Sequence, residues 1–229
     1  MADPLVIAID GPAGSGKSSV SREVARRLGF GYLDTGAVYR ALAWHCLRRR
    51  IDTSDAMAVV EALADFDVAV STDPAVRTIR VRDADVTDAI REPAVTDAVS
   101  GVARVPVVRR SVNAMFRSLI RACALPGIVV EGRDITTVVA PEAPVRILLT
   151  ASEGVRALRR GAESPGAQVD QVVAALRRRD GSDAAVAEFR SAAEGVRVID
   201  STDLDFEGTV AAVLAEVDRT AAREVARER

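Results

Sequence analysis

Residues 5–18 read Leu5-Val-Ile-Ala-Ile-Asp-Gly-Pro-Ala-Gly-Ser-Gly-Lys-Ser18. The first five residues, Leu5–Ile9, form a continuous apolar run that is typical of a strand buried on both faces. The run leads directly into the pattern Gly11-x-x-x-x-Gly16-Lys17-Ser18, which has the spacing of a phosphate-binding loop. A buried strand, a glycine-rich loop and a helix in this order predict an α/β protein with a phosphate site at the end of its first strand.

Each residue type in this loop suits a phosphate ligand. Glycines let the backbone wrap around a phosphate so that successive N–H groups point inward. The helix that begins near Lys17 adds the positive end of its dipole. We expect Lys17 to reach the β- and γ-phosphates and Ser18 to place its hydroxyl on Mg²⁺. An accidental glycine-rich turn is disfavoured, because a buried strand precedes the loop and an amphipathic helix follows it.

The composition narrows the class of protein. A chain of 229 residues can form one α/β unit with a smaller inserted domain. Its 31 Lys+Arg and 33 Asp+Glu leave a net charge of -2, which argues against a nucleic-acid partner. No signal peptide or membrane-length apolar run is visible, so we expect a cytoplasmic protein without a membrane partner. Cys46 and Cys123 are interpreted as small core residues, and His45, the only histidine, excludes a histidine-based metal cluster or triad.

Further short apolar stretches predict strands of the same sheet. They are Tyr32–Leu33, Ile128–Glu131, Arg146–Leu149 and Val196–Ile199. Because helical patterns separate them, the sequence predicts a five-stranded parallel sheet. One of the expected helices runs from about Val169 to Arg179 and ends in three arginines.

Residues 51–91 follow a different pattern. Apolar and polar residues alternate in 66–71 and again in 79–82, with a turn at Thr72-Asp73-Pro74 between them. Such alternation is typical of an antiparallel hairpin with one exposed face. A hairpin among the helices of a parallel-sheet protein indicates an insertion.

Two strand ends carry polar residues that are candidates for a site. Asp34-Thr35-Gly36 leads into a helix that bears Tyr39 and Arg40, and the third strand delivers Gly132-Arg133-Asp134. The carboxyl ends of parallel strands open onto the ligand crevice of such a sheet. The alternatives are a half-buried aromatic for Tyr39, a solvated charge for Arg40, and a local salt bridge for the Arg-Asp pair.

At this point the chain resembles the bacterial cytidylate kinases, within the nucleoside-monophosphate kinase family. The matching stretches are Ile9-Asp-Gly-Pro-Ala-Gly-Ser-Gly-Lys-Ser-Ser19, Leu33-Asp-Thr-Gly-Ala-Val-Tyr-Arg40, Asp85-Val-Thr-Asp-Ala-Ile-Arg91, Val130-Glu-Gly-Arg-Asp134, Thr137-Val-Val-Ala-Pro-Glu-Ala-Pro144 and Arg178-Arg-Asp180. They occur in order over nearly the whole chain, and the stretch from Leu33 to Arg40 is much more specific than the phosphate loop.

The resemblance implies a domain plan and a reaction. The plan is a core of residues 1–34, 92–155 and 190–229, a monophosphate-binding insertion of residues 35–91 that contains the hairpin, and a short helical lid of residues 156–189. The reaction is transfer of a phosphoryl group from ATP to CMP or dCMP, with Mg²⁺, giving ADP and CDP or dCDP. The implied protein is a monomer whose partners are these nucleotides.

The resemblance also implies roles for individual residues. The ATP-phosphate loop would be Gly11, Pro12, Ala13, Gly14, Ser15, Gly16, Lys17, Ser18 and Ser19, with Ser18 on the metal. The monophosphate site would hold Thr35, Tyr39 and Arg40, with Arg40 and Arg133 on the acceptor phosphate, Ser100, Arg109 and Asp134 on the cytosine, and Asp183 on the sugar hydroxyls. The catalytic cations would be Lys17 and the lid-side arginines Arg156, Arg160 and Arg179.

Such a reaction needs no general base. The nucleophile is a phosphate oxygen that is already ionised at neutral pH, so catalysis rests on alignment, charge neutralisation and exclusion of water. Several arginines suit this task because a guanidinium holds two phosphate oxygens in a fixed geometry. A lid is needed because open solvent would allow hydrolysis of ATP.

The chain departs from the family pattern in its lid. The stretch between Arg160 and Arg179 is shorter than usual, and Val186 stands where the family has an arginine, with Arg190 as a nearby substitute. Thr136 replaces a glycine that usually follows Gly-Arg-Asp-x. Two alternatives therefore stay open: a kinase of another small acceptor, and a nucleotide-binding regulatory paralogue with a weakened lid.

Overall fold

The computed structural model of the chain describes residues 3–162, 169–184 and 191–227. The strands in these ranges are β1 (Leu5–Asp10), β2 (Gly31–Asp34), β3 (Val68–Val70), β4 (Ile79–Val81), β5 (Ala84–Asp85), β6 (Gly127–Gly132), β7 (Val145–Thr150) and β8 (Arg197–Asp200). The α-helices are α1 (Lys17–Leu28), α2 (Thr35–Arg48), α3 (Ala56–Ala62), α4 (Pro93–Ala103), α5 (Pro106–Arg121), α6 (Glu153–Ala162), α7 (Val169–Ala184) and α8 (Phe206–Arg227). None of the helices within these ranges is long and apolar enough to cross a membrane.

The predicted five-stranded parallel sheet is confirmed. Its strand order is β2-β6-β1-β7-β8, and each neighbouring pair is parallel. Asp10 at the end of β1 lies opposite Gly132 at the end of β6, and Asp34 of β2 lies opposite Glu131. This register brings the phosphate loop and the polar ends of β2 and β6 to one edge of the sheet.

Helices cover both faces of this sheet, which explains the continuous apolar runs within its central strands. On one face, Ile7 and Ile9 of β1 pack against α1 and α8. On the other, Ala8 of the same strand belongs to a cluster that contains Leu42 of α2 and Phe116 of α5. All five side chains are at most 1% exposed. Burying each large apolar side chain stabilises the fold by roughly 1.5–3 kcal/mol, so the sheet is a stable platform for a site.

The second sheet is antiparallel and has three strands, whereas the sequence predicted two. Strands β3 and β4 match the predicted hairpin, and β5 pairs with β4 across a tight turn at Arg82, whose φ is 53°. Strand β5 has only two residues, too few for an alternating pattern to be recognised. Val81 and Ile90 pack against Ala37 and Ala41 of α2, so this sheet and the segment after it support the helix that carries Tyr39 and Arg40.

Helices α6 and α7 lie over the phosphate loop. Ala157 of α6 and Val172 and Leu176 of α7 form a small apolar cluster with Ala13 of the loop. Helix α7 continues past Arg179 to Ala184, so the predicted end at the three arginines was wrong. The extension includes Gly181, a weak helix former, and contacts of Asp180 with α6 and the loop stabilise it. The predictions on Val186 and Arg190 fall outside the described residues.

Candidate active site

The phosphate loop adopts a conformation that only its glycines allow. Gly14 has a φ of 76° and Gly16 a φ of 86°, both in the left-handed region. A Cβ atom on Gly14 would lie 2.8 Å from the carbonyl oxygen of Arg156. Helix α1 begins directly after Gly16, so its N-terminus faces the loop. The loop therefore presents backbone N–H groups and a helix dipole to the same space, as an anion site requires.

Lys17 lies beside a buried acid that the sequence analysis left without a role. Its Nζ is 3.9 Å from Oε2 of Glu131. Burial lowers the pKa of Lys17 to about 7, and the positive charge of Arg133 acts in the same direction while Glu131 opposes both. The Tyr32 hydroxyl donates to Oε1 of Glu131 at 2.9 Å, which fixes the orientation of the carboxylate. An anion at the loop would relieve the electrostatic cost of charging Lys17 in this position.

The start of α2 holds Arg40 in place through Asp34. The Asp34 carboxylate caps the helix by accepting from the N–H of Ala37 at 2.9 Å, and it pairs with Nη2 of Arg40 at 3.3 Å. Burial would raise the pKa of Asp34, but Arg40 and the capping N–H outweigh it and lower the pKa. The Nε of Arg40 is buried without a hydrogen-bond partner among the described residues. Arg40 therefore has donor capacity left for a ligand.

Thr35 and Tyr39 are also anchored by their surroundings. The Thr35 hydroxyl donates to the carbonyl oxygen of Glu131 at 2.7 Å, which ties the first turn of α2 to the end of β6. The Tyr39 hydroxyl lies 3.5 Å from Oδ1 of the buried Asn113. Burial raises the pKa of Tyr39 to about 12, so its hydroxyl is a neutral donor at physiological pH.

Arg133 and Asp134 point to different partners. Asp134 pairs with Nη2 of Arg109. Arg133 donates through Nε to Oδ2 of Asp183 at 2.7 Å and through Nη1 to the carbonyl oxygen of Gly11. Burial raises the pKa of Asp134, and the charge of Arg109 opposes that rise. The two ion pairs bring together four residues that the sequence analysis assigned to one site.

Two cavities meet at this edge of the sheet. The central cavity, about 90 Å³, is lined by Thr35, Tyr39, Arg109, Asp134 and Asp183 among others. The loop cavity, about 290 Å³, is lined by Gly14, Gly16, Ser19, Arg91 and Arg160 among others. The residues that line both cavities are Lys17, Ser18, Arg40, Arg133 and Arg179. Four of these five shared residues are cationic, so positive charge is concentrated where the cavities join.

Arg179 shows how strongly the cations crowd this junction. Burial lowers the pKa of Arg179 to about 10, and the positive charges of Arg133 and Arg40 act in the same direction. Asp183 offers only partial compensation, since its Oδ2 is 3.9 Å from Nε of Arg179. Guanidinium groups held this close to one another favour a ligand with several negative charges.

The lid-side arginines are placed differently from one another. Arg156 donates through Nη1 to Oδ2 of Asp180 at 2.6 Å and to the carbonyl oxygen of Ala13 at 2.9 Å, so here it braces the phosphate loop. Asp180 also accepts from the N–H of Ala13 at 3.2 Å. Arg160 lines the loop cavity and an adjoining cavity under α7, where Ser100 also lies. Ser100 is thus the one predicted cytosine contact that does not line the central cavity.

Other loop residues serve the shape of the loop. Gly11, Pro12 and Ser15 are buried and do not line the loop cavity, whereas Ala13 and the residues from Gly16 to Ser19 do. The sequence analysis missed Asp10, Asp34, Glu131 and Asp180 as site residues. All four are acids within the stretches that carry the family resemblance. Asp10 and Asp34 end strands β1 and β2, and Glu131 lies one residue before the end of β6, which is the signal that could have found them.

Comparisons with known proteins show the family of the chain. The family model described as "Cytidylate kinase" matches residues 7–219. A cytidylate kinase from Rhodococcus opacus is 45% identical over 93% of this chain and 94% of its own length. The cytidylate kinases from Rhodococcus jostii (44% identical, covering 95% of this chain and 97% of the relative) and Streptomyces avermitilis (42% identical, covering 93% of each) match similarly. The chain therefore belongs to the cytidylate kinase family.

Proposed function

We propose that the protein transfers a phosphoryl group from ATP to CMP or dCMP. The observation that carries this proposal is the junction of the two cavities at Lys17, Arg40, Arg133 and Arg179. A triphosphate in the loop cavity and a monophosphate in the central cavity would bring their phosphates together there. Phosphoryl transfer between two anions needs this alignment and this neutralisation of charge.

The donor side would hold ATP together with Mg²⁺. Ser18, with its hydroxyl, lines both cavities, and the carboxylate of Glu131, which pairs with Lys17, belongs to the lining of the central cavity. Both are hard oxygen donors, and Mg²⁺ in kinases uses one or two such protein groups together with substrate phosphates and water. These residues therefore fit the metal, which would neutralise charge on the transferring phosphate. The Lys17 ammonium would then bind the β- and γ-phosphates.

This arrangement predicts a pH dependence of ATP binding. Only the charged form of Lys17 binds phosphate well, and its pKa is lowered in the free protein to about 7. Bound ATP must raise that pKa, so binding takes up a proton above pH 7, and the affinity falls as the pH rises. The dissociation constant for ATP, measured by calorimetry from pH 7 to pH 9, is expected to increase by up to about tenfold per pH unit.

The titration can be followed on the group itself. Lys17 is the only lysine of the chain, so protein labelled with ¹³C-lysine gives one side-chain signal to follow by NMR. Its midpoint is expected near neutral pH without ATP and at higher pH with ATP. A midpoint at the ordinary lysine value of about 10.4 in the free protein would contradict the prediction.

The acceptor side would read both the phosphate and the base. Arg40 and Arg133 lie at the junction and would bind the monophosphate. Arg109 and Asp134 line the central cavity but not the loop cavity, and they offer donors and an acceptor, which the cytosine edge requires through its ring nitrogen, carbonyl oxygen and amine. An arginine has five N–H donors and a carboxylate several lone pairs, so their mutual ion pair leaves capacity for the base.

The remaining acceptor residues have narrower roles in this proposal. Thr35 and Tyr39 would line the monophosphate site, and Asp183 would bind the sugar hydroxyls while it holds Arg133. Ser100 would reach the base only if α4 or α7 moved, since it lines the adjoining cavity. Arg156, Arg160 and Arg179 would close over the transferring phosphate from α6 and α7, with residues 156–189 as the lid and residues 35–91 as the monophosphate-binding part.

We further infer a monomeric enzyme of the cytoplasm. Cys46 and Cys123 are free thiols, as is usual in a reducing compartment. A nucleoside-monophosphate kinase needs only the residues of one chain for the two cavities described above. Size-exclusion chromatography with light scattering would test the monomer directly.

The decisive experiment is a coupled assay of ADP release with ATP, Mg²⁺ and one acceptor at a time. CMP and dCMP are expected to support turnover far better than AMP or shikimate, with UMP measured alongside to define the base preference. Turnover only with a different acceptor would replace the proposed substrate. Binding of ATP without turnover of any acceptor would favour the regulatory alternative.

A further inference from the structure

One buried carboxylate connects the phosphate loop to the segment that follows β6. Asp10 is the last residue of β1 and is 2% exposed. Its Oδ1 accepts from the N–H of Ile135 at 2.8 Å, and its Oδ2 accepts from the N–H of Thr136 at 2.8 Å. The Thr136 hydroxyl adds a third hydrogen bond to Oδ2 at 2.7 Å. All three donors belong to two consecutive residues, so one side chain holds one short stretch of backbone.

The held stretch directly follows the acceptor-side residues. Arg133 and Asp134 line the central cavity, and Ile135 begins a π-helical turn that runs to Val139. A π-helical turn is rare and short, so its position depends strongly on tertiary contacts. On the other side, Asp10 precedes Gly11, whose carbonyl oxygen accepts from Arg133. The donor loop and the acceptor residues are therefore joined twice within a few residues.

The chemistry of the contact favours a charged carboxylate. Burial raises the pKa of Asp10, and the negative charge of Asp134 acts weakly in the same direction. The hydrogen bonds from Thr136 and Ile135 act the other way and lower this pKa, but they do not outweigh burial. The three groups that hydrogen-bond to the Asp10 oxygens within the described ranges are all donors. An ionised carboxylate can accept from all of them, whereas a protonated one would place its own O–H against a donor. A buried carboxylate that lost one of three donors would bind the remaining backbone less firmly.

We propose that Asp10 and Thr136 are a positioning pair that sets Arg133 and Asp134 against the phosphate loop, so that the acceptor nucleotide is held in line with ATP. This rests on the proposed function for the identity of the two nucleotides. Neither residue touches the substrates in this proposal. The Thr136 hydroxyl is the part of the pair that can be removed with the least change in shape.

The test uses Thr136→Val, which replaces the hydroxyl by a methyl group, with Thr136→Ser as the conservative variant. The matched control is Thr137→Val, because Thr137 is the next residue and is exposed. By calorimetry, Thr136→Val is expected to weaken CMP binding about tenfold, the effect of one hydrogen bond to a charged group, and to change ATP binding less than about twofold. Thr136→Ser and Thr137→Val are expected to bind both nucleotides like the wild type.

Amide hydrogen exchange provides a readout that does not depend on activity. Exchange of the Ile135 and Thr136 amides is expected to be faster in Thr136→Val and unchanged in Thr137→Val. If Thr136→Val does not fold, Thr136→Ala removes the hydroxyl without placing a methyl group on the carboxylate, and the same expectations hold. Equal weakening of CMP and ATP binding, or no change in CMP binding by a folded variant, would overturn the proposal. Absence of turnover in the wild type would instead overturn the proposed function. The binding and hydrogen-exchange measurements would then still test whether Asp10 and Thr136 act as a positioning pair.

Discussion

Lys17→Ala is expected to lower kcat about a thousandfold or more while the protein remains folded. The ammonium lies where the loop cavity meets the central cavity, so it would act on charge that shifts between the two nucleotides. Its loss removes stabilisation of the transition state and costs little packing, because Lys17 belongs to none of the apolar clusters. Steady-state kinetics with ATP and CMP would measure the effect, and circular dichroism would verify the fold.

The matched control for this variant is Arg26→Ala. Arg26 is a cation on the same helix whose side chain is 61% exposed and forms a surface ion pair with Glu23, one turn away, at 3.1 Å. Such surface pairs contribute little to stability, so this variant is expected to keep kcat near that of the wild type. A folded Lys17→Ala variant with a similarly unchanged kcat would show that the loop is not the ATP-phosphate site.

The sequence predicts the parallel sheet well because hydrophobic burial dictates it. A strand covered on both faces needs apolar residues on both, and β1, β6 and β7 contain the continuous apolar runs 5–9, 128–130 and 147–149. The loop after β1 is equally predictable, since Gly14 and Gly16 occupy backbone conformations that other residues disfavour. These features follow from local sequence, so a single chain is enough to find them.

Elements that depend on tertiary contacts were harder to predict. The end of α7 could not be read from three arginines, because Asp180 is fixed by Arg156 and by the N–H of Ala13, both distant in sequence. The short β5 exists only as the partner of β4. Such contacts leave no periodic pattern of apolar and polar residues in the sequence, so they cannot be predicted from local sequence.

In the candidate site, too, some residues could be predicted from local sequence and others could not. Lys17, Arg40 and Arg133 follow from the loop pattern and from strand ends, and the structure brings them to one junction. Glu131 and Asp10 were passed over because an acid in an apolar strand has no visible partner in the sequence. Their partners, Tyr32 for Glu131 and Thr136 for Asp10, lie about 100 residues or more away along the chain.

The second large effect is expected from a variant of Asp134, the residue proposed to select the base of the acceptor nucleotide. Asp134→Ala is expected to raise the KM for CMP about a hundredfold and the KM for ATP only slightly. The variant removes the acceptor proposed for the cytosine amine and leaves Arg109 partly buried without its carboxylate, and both losses fall on the acceptor. The exposed carboxylate of Asp83, in the turn between β4 and β5, offers the control variant Asp83→Ala, which should change neither KM.

Asp134→Asn separates the base contact from the ion pair. The amide oxygen can still accept from Arg109, but its NH₂ group would then face the cytosine amine, and two donors cannot pair. Uracil presents a carbonyl oxygen at that position, so the ratio of kcat/KM for CMP to that for UMP is expected to fall at least tenfold. The coupled assay with both nucleotides measures this ratio. If Asp134→Ala raised the KM for ATP as much as that for CMP, and Asp134→Asn left the ratio unchanged, Asp134 would support the fold or the lid and would not read the base.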